Sequence, residues 1–425
     1  MRAADAQNSI GVKQVGIGEV EHNIVFYDEH MYSAHVNRGG IWGFDDGEIA
    51  VAHLVNSRCP YDHPKWVAHG YSMSSAGVFL HRSFDEGKTW PAAESKKWVW
   101  HNDRSTDEIL DWLRPPGRRE RQRIDMGAAD SIMHFSYSHY MPARVQRPWR
   151  AFCLRSPDRG RTWEAHPSLL PGPDGGGGIL VANLGHVRFA NGVLGVAANA
   201  YDSDGRNRAN FYTSHDDGLS WEFLSTIVAA DQARSGGSGG DERPRFTYLG
   251  AHQLPDGRLL CSMHRIPGNL PCISFSADSG CNWSPPRPIV GPASYALELG
   301  GEQPEFPRGE SAPGENHPGF QRYRSPVARV LRDGRILVLF GRRGVRAVGG
   351  NGIHGVVSDD LGQTWSKEFM VWGQGYATDG GYPVVTELRD GRIFTAYYAT
   401  VKERDERIRE YECVRHIRSS TFRLL

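Results

Sequence analysis

The sequence predicts an all-β fold, a six-bladed β-propeller of four-stranded antiparallel blades, and three observations carry that expectation. An eight-residue box recurs five times, as "SFDEGKTW" (83–90), "SPDRGRTW" (156–163), "SHDDGLSW" (214–221), "SADSGCNW" (276–283) and "SDDLGQTW" (358–365). Its spacing allows a unit of roughly 40–60 residues plus insertions, the size of a propeller blade. A second signal is interleaved with the first: "FDDGEIAVAH" (44–53), "FANGVLGVAA" (189–198), "LPDGRLLCSM" (254–263), "LRDGRILVLF" (331–340) and "LRDGRIFTAY" (388–397). Each sets Asp-Gly or Asn-Gly between apolar segments, a signal for a two-residue hairpin with positive φ at both turn positions. Third, 39% hydrophobic residues among 425, with 50 glycines, 12 tryptophans and 16 tyrosines, suit a real core built from aromatic strands and tight turns.

Each unit then reads in order. An inner strand enters the turn and a second strand returns. A third strand ("AGVFLHRS", "RAFCLRS", "NFYTS", "CISFS", "IHGVVS") runs into the box, and a fourth follows it. Five units carry boxes. A sixth, "GGYPVVTELRDGRIFTAYY" (380–398) with "RHIRSSTFRL" (415–424), has none. "EVEHNIVFYDEH" (19–30) precedes the first inner strand without a partner, so it is expected to form the outer strand of the last blade and close the ring. The organisation is a tail, 1–18, and a single propeller, 19–425. Blade two lacks its Asp-Gly turn; 130–156 is read as its inner part. "STDEILDWL" (105–113) before it reads as a short helix with Ser105 as N-cap and Glu108 three residues on. The Gly- and Pro-rich stretches 171–178, 234–245 and 301–321 read as long loops.

Several classes are disfavoured. Net charge is zero, so neither nucleic acid nor an anionic membrane is an expected partner, and "RPPGRRERQR" (114–123) reads as a solvated loop. The six cysteines form no CxxC pair and are scattered, unlike a disulfide framework or a zinc site. Apolar runs such as "ILVLF" (336–340) are too short to span a bilayer. "MRAADAQNSIGVKQVG" has no apolar signal-peptide core, so a cytoplasmic location is expected, a secreted one remaining open for a trimmed N-terminus. No cofactor and no metal are expected. Calcium needs six to eight oxygens and each box guarantees one carboxylate. The boxes are instead read as hairpin staples, with the Asp holding its own turn and the Trp packing between sheets. His63, His69, His134, His252 and His264 show no HxH or HExxH spacing and read as hydrogen-bonded side chains.

The chemistry is sought where the blades converge, at the start of the inner strands. Six residues back from the apolar residue two before each turn's Asp or Asn stand Arg38, Asn183, Tyr248, Ser325 (beside Arg324) and Tyr382; Asp130 is read as blade two's contribution. A ring of basic, phenolic and acidic residues points to a polar ligand rather than a purely structural axis.

The S-x-D-x-G-x-T-W boxes resemble the Asp-boxes of the sialidase (neuraminidase) superfamily, over essentially 20–425. "NRGGIW" (37–42) and "GGYPVVTELRDGRIFTAYY" are similar to bacterial proteins of the sialidase family. The resemblance implies an exo-glycosidase acting on a terminal, acidic sugar of a glycan. It puts Tyr382, in "Y-P-V-V-T-E-L-R-D-G", at the place of a nucleophile. A neutral phenol meets the carboxylate of a sialic acid with less repulsion than a second carboxylate would. It implies Asp62, in "RCPYDHPKW", as the proton donor, with Asp130 as the reserve. A clamp of arginines on the substrate carboxylate would draw on Arg38, Arg265, Arg324 and Arg343, with Asn183 and Tyr248 also lining the site. The family's usual "R-I-P" stands here as "R-G-G-I-W". The glutamate that activates the tyrosine has no motif match, though 298–315 offers Glu298, Glu302, Glu305, Glu310 and Glu315. Two alternatives remain open: another carbohydrate-active enzyme on this fold, whether a two-carboxylate hydrolase or a His/Tyr lyase, and a non-catalytic glycan-binding propeller.

Overall fold

The structure, a computed structural model, describes residues 13–28, 31–56, 77–99, 106–114, 121–137, 150–172, 179–201, 207–229, 245–266, 270–290, 323–342, 352–373, 380–401 and 414–425. Six antiparallel sheets follow one another along the chain as the blades of a propeller. Blades four and five are plain meanders. Blade four is Arg245–Gln253, Leu259–Ile266, Leu270–Ser276 and Arg287–Pro288. Blade five is Tyr323–Val330, Ile336–Arg342, Gly352–Ser358 and Phe369–Gly373. Blade six, Gly381–Glu387, Ile393–Val401 and Val414–Leu424, takes its outer strand from the N-terminal Ile17–Phe26, with Ile17 opposite Leu424. The ring is closed as the sequence predicts, and no helix among the described residues is long and apolar enough to cross a membrane.

The Asp-Gly turns take a different form from the expected one. Only the glycines (Gly47, Gly192, Gly257, Gly334, Gly391) have positive φ, between 83° and 92°. The backbone N–H of Gly391 donates to Leu388 O, and the N–H of Leu388 to Arg392 O. This is a three-residue loop, a tight turn followed by a left-handed glycine. The Asp side chain selects it by accepting from the backbone N–H two residues on, as Asp390 Oδ1 does from Arg392 at 3.0 Å.

The boxes, by contrast, carry the left-handed pair. Glu86, Arg159, Asp217, Ser279 and Leu361 have φ of 54–60°, and each precedes a left-handed glycine. In every box the Ser Oγ accepts from the Gly N–H at 2.8–2.9 Å and donates to the Asp Oδ1. The seventh residue, Thr89, Thr162, Ser220, Asn282 or Thr364, donates its side chain to the other Asp oxygen. The box tryptophan then reaches the preceding blade. Trp90 lies 6.0 Å from Phe394, Trp163 6.4 Å from Trp42, Trp221 5.6 Å from Phe135 and Trp283 5.4 Å from Phe211, centroid to centroid. The boxes are staples that also seal each blade to its neighbour.

Ser358, at the head of its box, pairs with Ile336, two residues after the turn glycine Gly334. Turns and boxes therefore share one face of the ring, the turn face, and the inner strands begin on the opposite face.

Blade two is the exception. It holds Ile132–Tyr137, Ala151–Ser156 and the short Ser168–Leu169. Ile132 pairs with Ser156, so 132–137 takes the place of a second strand, and no innermost strand stands before it among the described residues. Four full strands and an inner start at Asp130 were expected here. Buried ionic contacts occupy this corner. Fully buried Arg155 pairs with Glu164 at 2.7 Å, Arg121 pairs with the same carboxylate at 3.0 Å, and Arg155 also donates to Asp217 O in the next blade's box. The expected helix is present as Thr106–Trp112, and Trp112 packs edge-on against Phe152. Its proposed cap, Ser105, lies outside the described residues.

Candidate functional site

All five inner strands present in the structure are interrupted at one level. In blade one, Tyr32–Ala34 and Gly40–Gly43 pair with the same neighbour, Ile49–Asn56, and the residues between them form a helical turn, Val36–Gly39. Gly39 is obligatory there, because a Cβ would stand 1.9 Å from Ala52 O. In blade three the register jumps from Leu180↔Asn199 to His186↔Val196. Blades four, five and six carry bulges between Thr247 and Gly250, Arg324 and Val327, and Gly381 and Val384. The ring residues Arg38, Asn183, Tyr248, Ser325 and Tyr382 all fall inside these interruptions.

The backbone is strained at this level. Tyr248, Ser325 and Tyr382 have φ of 55°, 44° and 54°, and His35, beside the blade-one turn, has 57°. A left-handed non-glycine residue costs about 1–3 kcal/mol and persists only where its surroundings hold it. The bulges re-aim side chains toward the axis. Ser325 and Tyr382 are each followed by a proline, which gives up no ladder hydrogen bond in a bulge.

Tyr382 is buried at 4% exposure inside an aromatic box. Tyr248 stands edge-on at 5.3 Å, His35 edge-on at 5.1 Å, and Tyr398 stacks at 5.6 Å. The Tyr248 hydroxyl donates to the Tyr382 oxygen at 3.3 Å. His264 lies 6.0 Å from the Tyr248 ring. The Arg38 guanidinium sits over Tyr137 at 4.7 Å and 5.9 Å from the centre of Tyr248, an arrangement that holds the cation beside the phenols. The sequence expectation included Tyr382, Tyr248 and Arg38. It missed His35, at the head of the helical turn, and Tyr398 and Tyr137, on second strands, all outside the ring register.

Asn183 has a different part. Its Oδ1 accepts from Phe135 N–H at 2.7 Å, and its Nδ2 donates to Phe135 O and to Arg38 O. It ties blades one, two and three together and fixes the turn that carries Arg38. Asn37 adds a bond to Ser325 at 3.1 Å, and His134 Nδ1–H donates to Gly39 O at 2.9 Å. Burial lowers the His134 pKa to about 3, so this imidazole is neutral.

The remaining expected residues divide. Arg324 is buried directly before the blade-five bulge. Arg265 is half-buried on the second strand of blade four, opposite Phe246. Strand alternation sends it to the sheet face opposite His264, near the Cys272 thiol, which burial raises to about 12 against the opposing pull of Arg265. Asp130 stands on the turn face, 55% exposed, with its carboxylate 2.6 Å from box residue Arg159. It does not join the Tyr382 ring, because the strand it precedes is a second strand and starts from the turn face. Asp62, Arg343 and the glutamates of 298–315 lie outside the described residues. Among the described residues no group of three or more His, Cys, Asp or Glu side chains is placed to hold a metal ion.

No family model and no curated protein matches the sequence. Solved structures do match in fold. A protein of unknown function from Dyadobacter fermentans superposes with a TM-score of 0.64 at 18% identity, over 96% of this chain and 100% of that one. A Trypanosoma rangeli sialidase in complex with 2,3-difluorosialic acid, a covalent intermediate, gives 0.56 at 14% identity over 96% of this chain; the chain spans only 59% of that sialidase. A Penicillium chrysogenum α-L-arabinanase complexed with arabinobiose gives 0.56 at 14% identity, over 96% and 98% of the two chains. The chain has the propeller fold shared by these sialidase-like and glycosidase structures.

Proposed function

We propose that the protein is a glycoside hydrolase that removes a terminal, acidic sugar, with Tyr382 as its nucleophile. The Tyr248–Tyr382 hydroxyl pair, held in a strained bulge on the axis beside Arg38, carries this reading. The Tyr382 oxygen would attack the anomeric carbon as the bond to the leaving oxygen breaks, its phenolic proton passing to a glutamate base drawn from Glu298, Glu302, Glu305, Glu310 and Glu315. The hydrogen bond donated by Tyr248 would stabilise negative charge developing on the attacking oxygen as that proton leaves. Arg38 would engage the sugar carboxylate in two-pronged geometry, with Arg324, Arg265 and Arg343 as the remaining members of the clamp. Asp62 would protonate the leaving group, and water would then release the sugar from Tyr382. The fold shared with a sialidase caught as a covalent intermediate is consistent with this chemistry.

A lyase is the second reading, favoured by one observation: His35 lies against Tyr382, and His264 near Tyr248. A tyrosine with a neighbouring histidine can take a proton beside a uronate carboxylate and expel the substituent, leaving a carbon–carbon double bond. A panel of acidic and neutral glycosides and uronate oligosaccharides separates the two. Release of a saturated acidic sugar supports the hydrolase. A product with new ultraviolet absorbance and no added water supports the lyase. Glycan binding without any product contradicts both.

A further inference from the structure

Between the interrupted level and the turn face the axis is hollow. A cavity of about 280 Å³ is lined by all six blades, through Trp42, Met133, His186, His252, Arg329 and Thr386 among others. It is separate from the Tyr382 box, on the other side of the Asn183 ties.

Its one arginine among those lining residues lacks compensation. Among the described residues Arg329 makes no ion pair, and its Nε is buried without a hydrogen-bond partner. The opposing charge that acts on it is Glu387, whose carboxylate already accepts the Arg332 N–H at 2.9 Å. Burial, with Arg332 adding to it, lowers the pKa of Arg329 against the pull of Glu387. A buried donor left unmet is uncommon and costs stability.

Two imidazoles face the same charge. Burial and then Arg329 lower the pKa of His186 to about 4 and that of His252 to about 3. His252 is seated deliberately: its Nε2–H donates to Leu184 O at 3.2 Å, and it lies against Gly185, where a Cβ would come within 2.4 Å of its Cε1. Among the described residues His186 makes no hydrogen bond, and it lines the cavity 5.9 Å from the Phe135 ring.

We propose that this turn-face half of the channel binds a small oxyanion, a phosphate or carboxylate, on the Arg329 guanidinium with the His186 imidazole as a second donor. The planar guanidinium of a cavity-lining arginine suits two oxygens of one anion. The bound anion would add to the pull of Glu387 on this guanidinium and would tie the six inner edges together.

The test uses the full chain at constant ionic strength, with inorganic phosphate and acetate as probes and chloride as the balancing ion. The thermal midpoint is expected to rise by several degrees and to saturate with phosphate or acetate, as ligand linkage requires. The rise should vanish in Arg329→Gln. Phosphate titration calorimetry on His186→Gln should show about tenfold weaker binding, and this arm holds if Arg329→Gln fails to fold. A midpoint that moves linearly without saturation, or equally in the parent and Arg329→Gln, would overturn the proposal; so would unchanged affinity in His186→Gln.

Discussion

The turn face and the axis ring use the same backbone device to different ends. Of the ten left-handed non-glycine residues described, five sit in the boxes and four at the axis level. In the boxes the side chains at these positions, Glu86, Arg159, Asp217, Ser279 and Leu361, have nothing in common. What repeats around them is the Ser–Asp–Gly hydrogen-bond set. At the axis the backbone repeats and the side chains converge, with His35 and Tyr248 both packed against Tyr382. The comparison teaches that a repeated polar motif in a propeller reads as structure. An unrepeated set of side chains on a repeated irregularity reads as a site.

Substitution should separate the two regions cleanly. Tyr382→Phe should lower kcat/KM by about 10³-fold or more, because it removes the attacking oxygen. Its denaturant midpoint should stay close to that of the parent, since the ring that packs against Tyr248, His35 and Tyr398 is kept and the bond lost to Tyr248 is a long one, 3.3 Å. Glu164→Ala should cost about 3–5 kcal/mol in denaturant unfolding, because it leaves Arg155 charged and fully buried. Whatever activity survives should keep its KM.

Tyr248→Phe sharpens the axis side of the comparison. Loss of a hydrogen bond to a charged oxygen is worth about 1.5–3 kcal/mol, so kcat should fall roughly tenfold to a hundredfold with little change in KM. Ser214→Ala probes one staple. It leaves the Gly218 N–H buried and unmet and should cost about 1–3 kcal/mol, read as a lower thermal midpoint at unchanged kcat.

Acid should attack the two regions at different pH. His134, at the axis, has its folded pKa lowered to about 3 by burial, below the unfolded value of 6.5. Its contribution is whole above pH 6.5 and is lost as pH falls from there toward 3, at up to about 1.4 kcal/mol per pH unit. In the boxes, burial alone would raise the carboxyls of Asp85, Asp158 and Asp360, but hydrogen bonds from their Thr and Ser partners outweigh it and hold them below 3.8. Their contribution stays whole until pH falls to about 4. Stability measured from pH 7 to 3 should decline first through the histidine window, and His134→Gln should flatten the slope between pH 6.5 and 4.5.

The ring and its closure were legible in the sequence because Asp-Gly, Ser-x-Asp-x-Gly and box tryptophans act through local hydrogen bonds that their own residues encode. The turn type was not. Asp-Gly serves both a two-residue hairpin and a three-residue loop, and the Asp side-chain bond to the next N–H decides for the latter. The axis level followed from counting back along regular strands, which found Arg38, Tyr248 and Tyr382. Counting fails in blade two, where no inner strand stands among the described residues, and Asp130 lies on the turn face with Arg159 instead of at the axis. His35 and Tyr398 were invisible to it, because their contact with Tyr382 depends on a bulge and a helical turn that no pattern in the chain announces.

The central claim is that Tyr382, on the face away from the boxes, forms the covalent bond to sugar. The most direct test incubates the protein with a fluorinated activated glycoside of the sugar it cleaves and maps the trapped adduct by peptide mass spectrometry. The account predicts one adduct, on Tyr382, absent in Tyr382→Phe. An adduct on any other residue, or undiminished turnover by Tyr382→Phe, would contradict it.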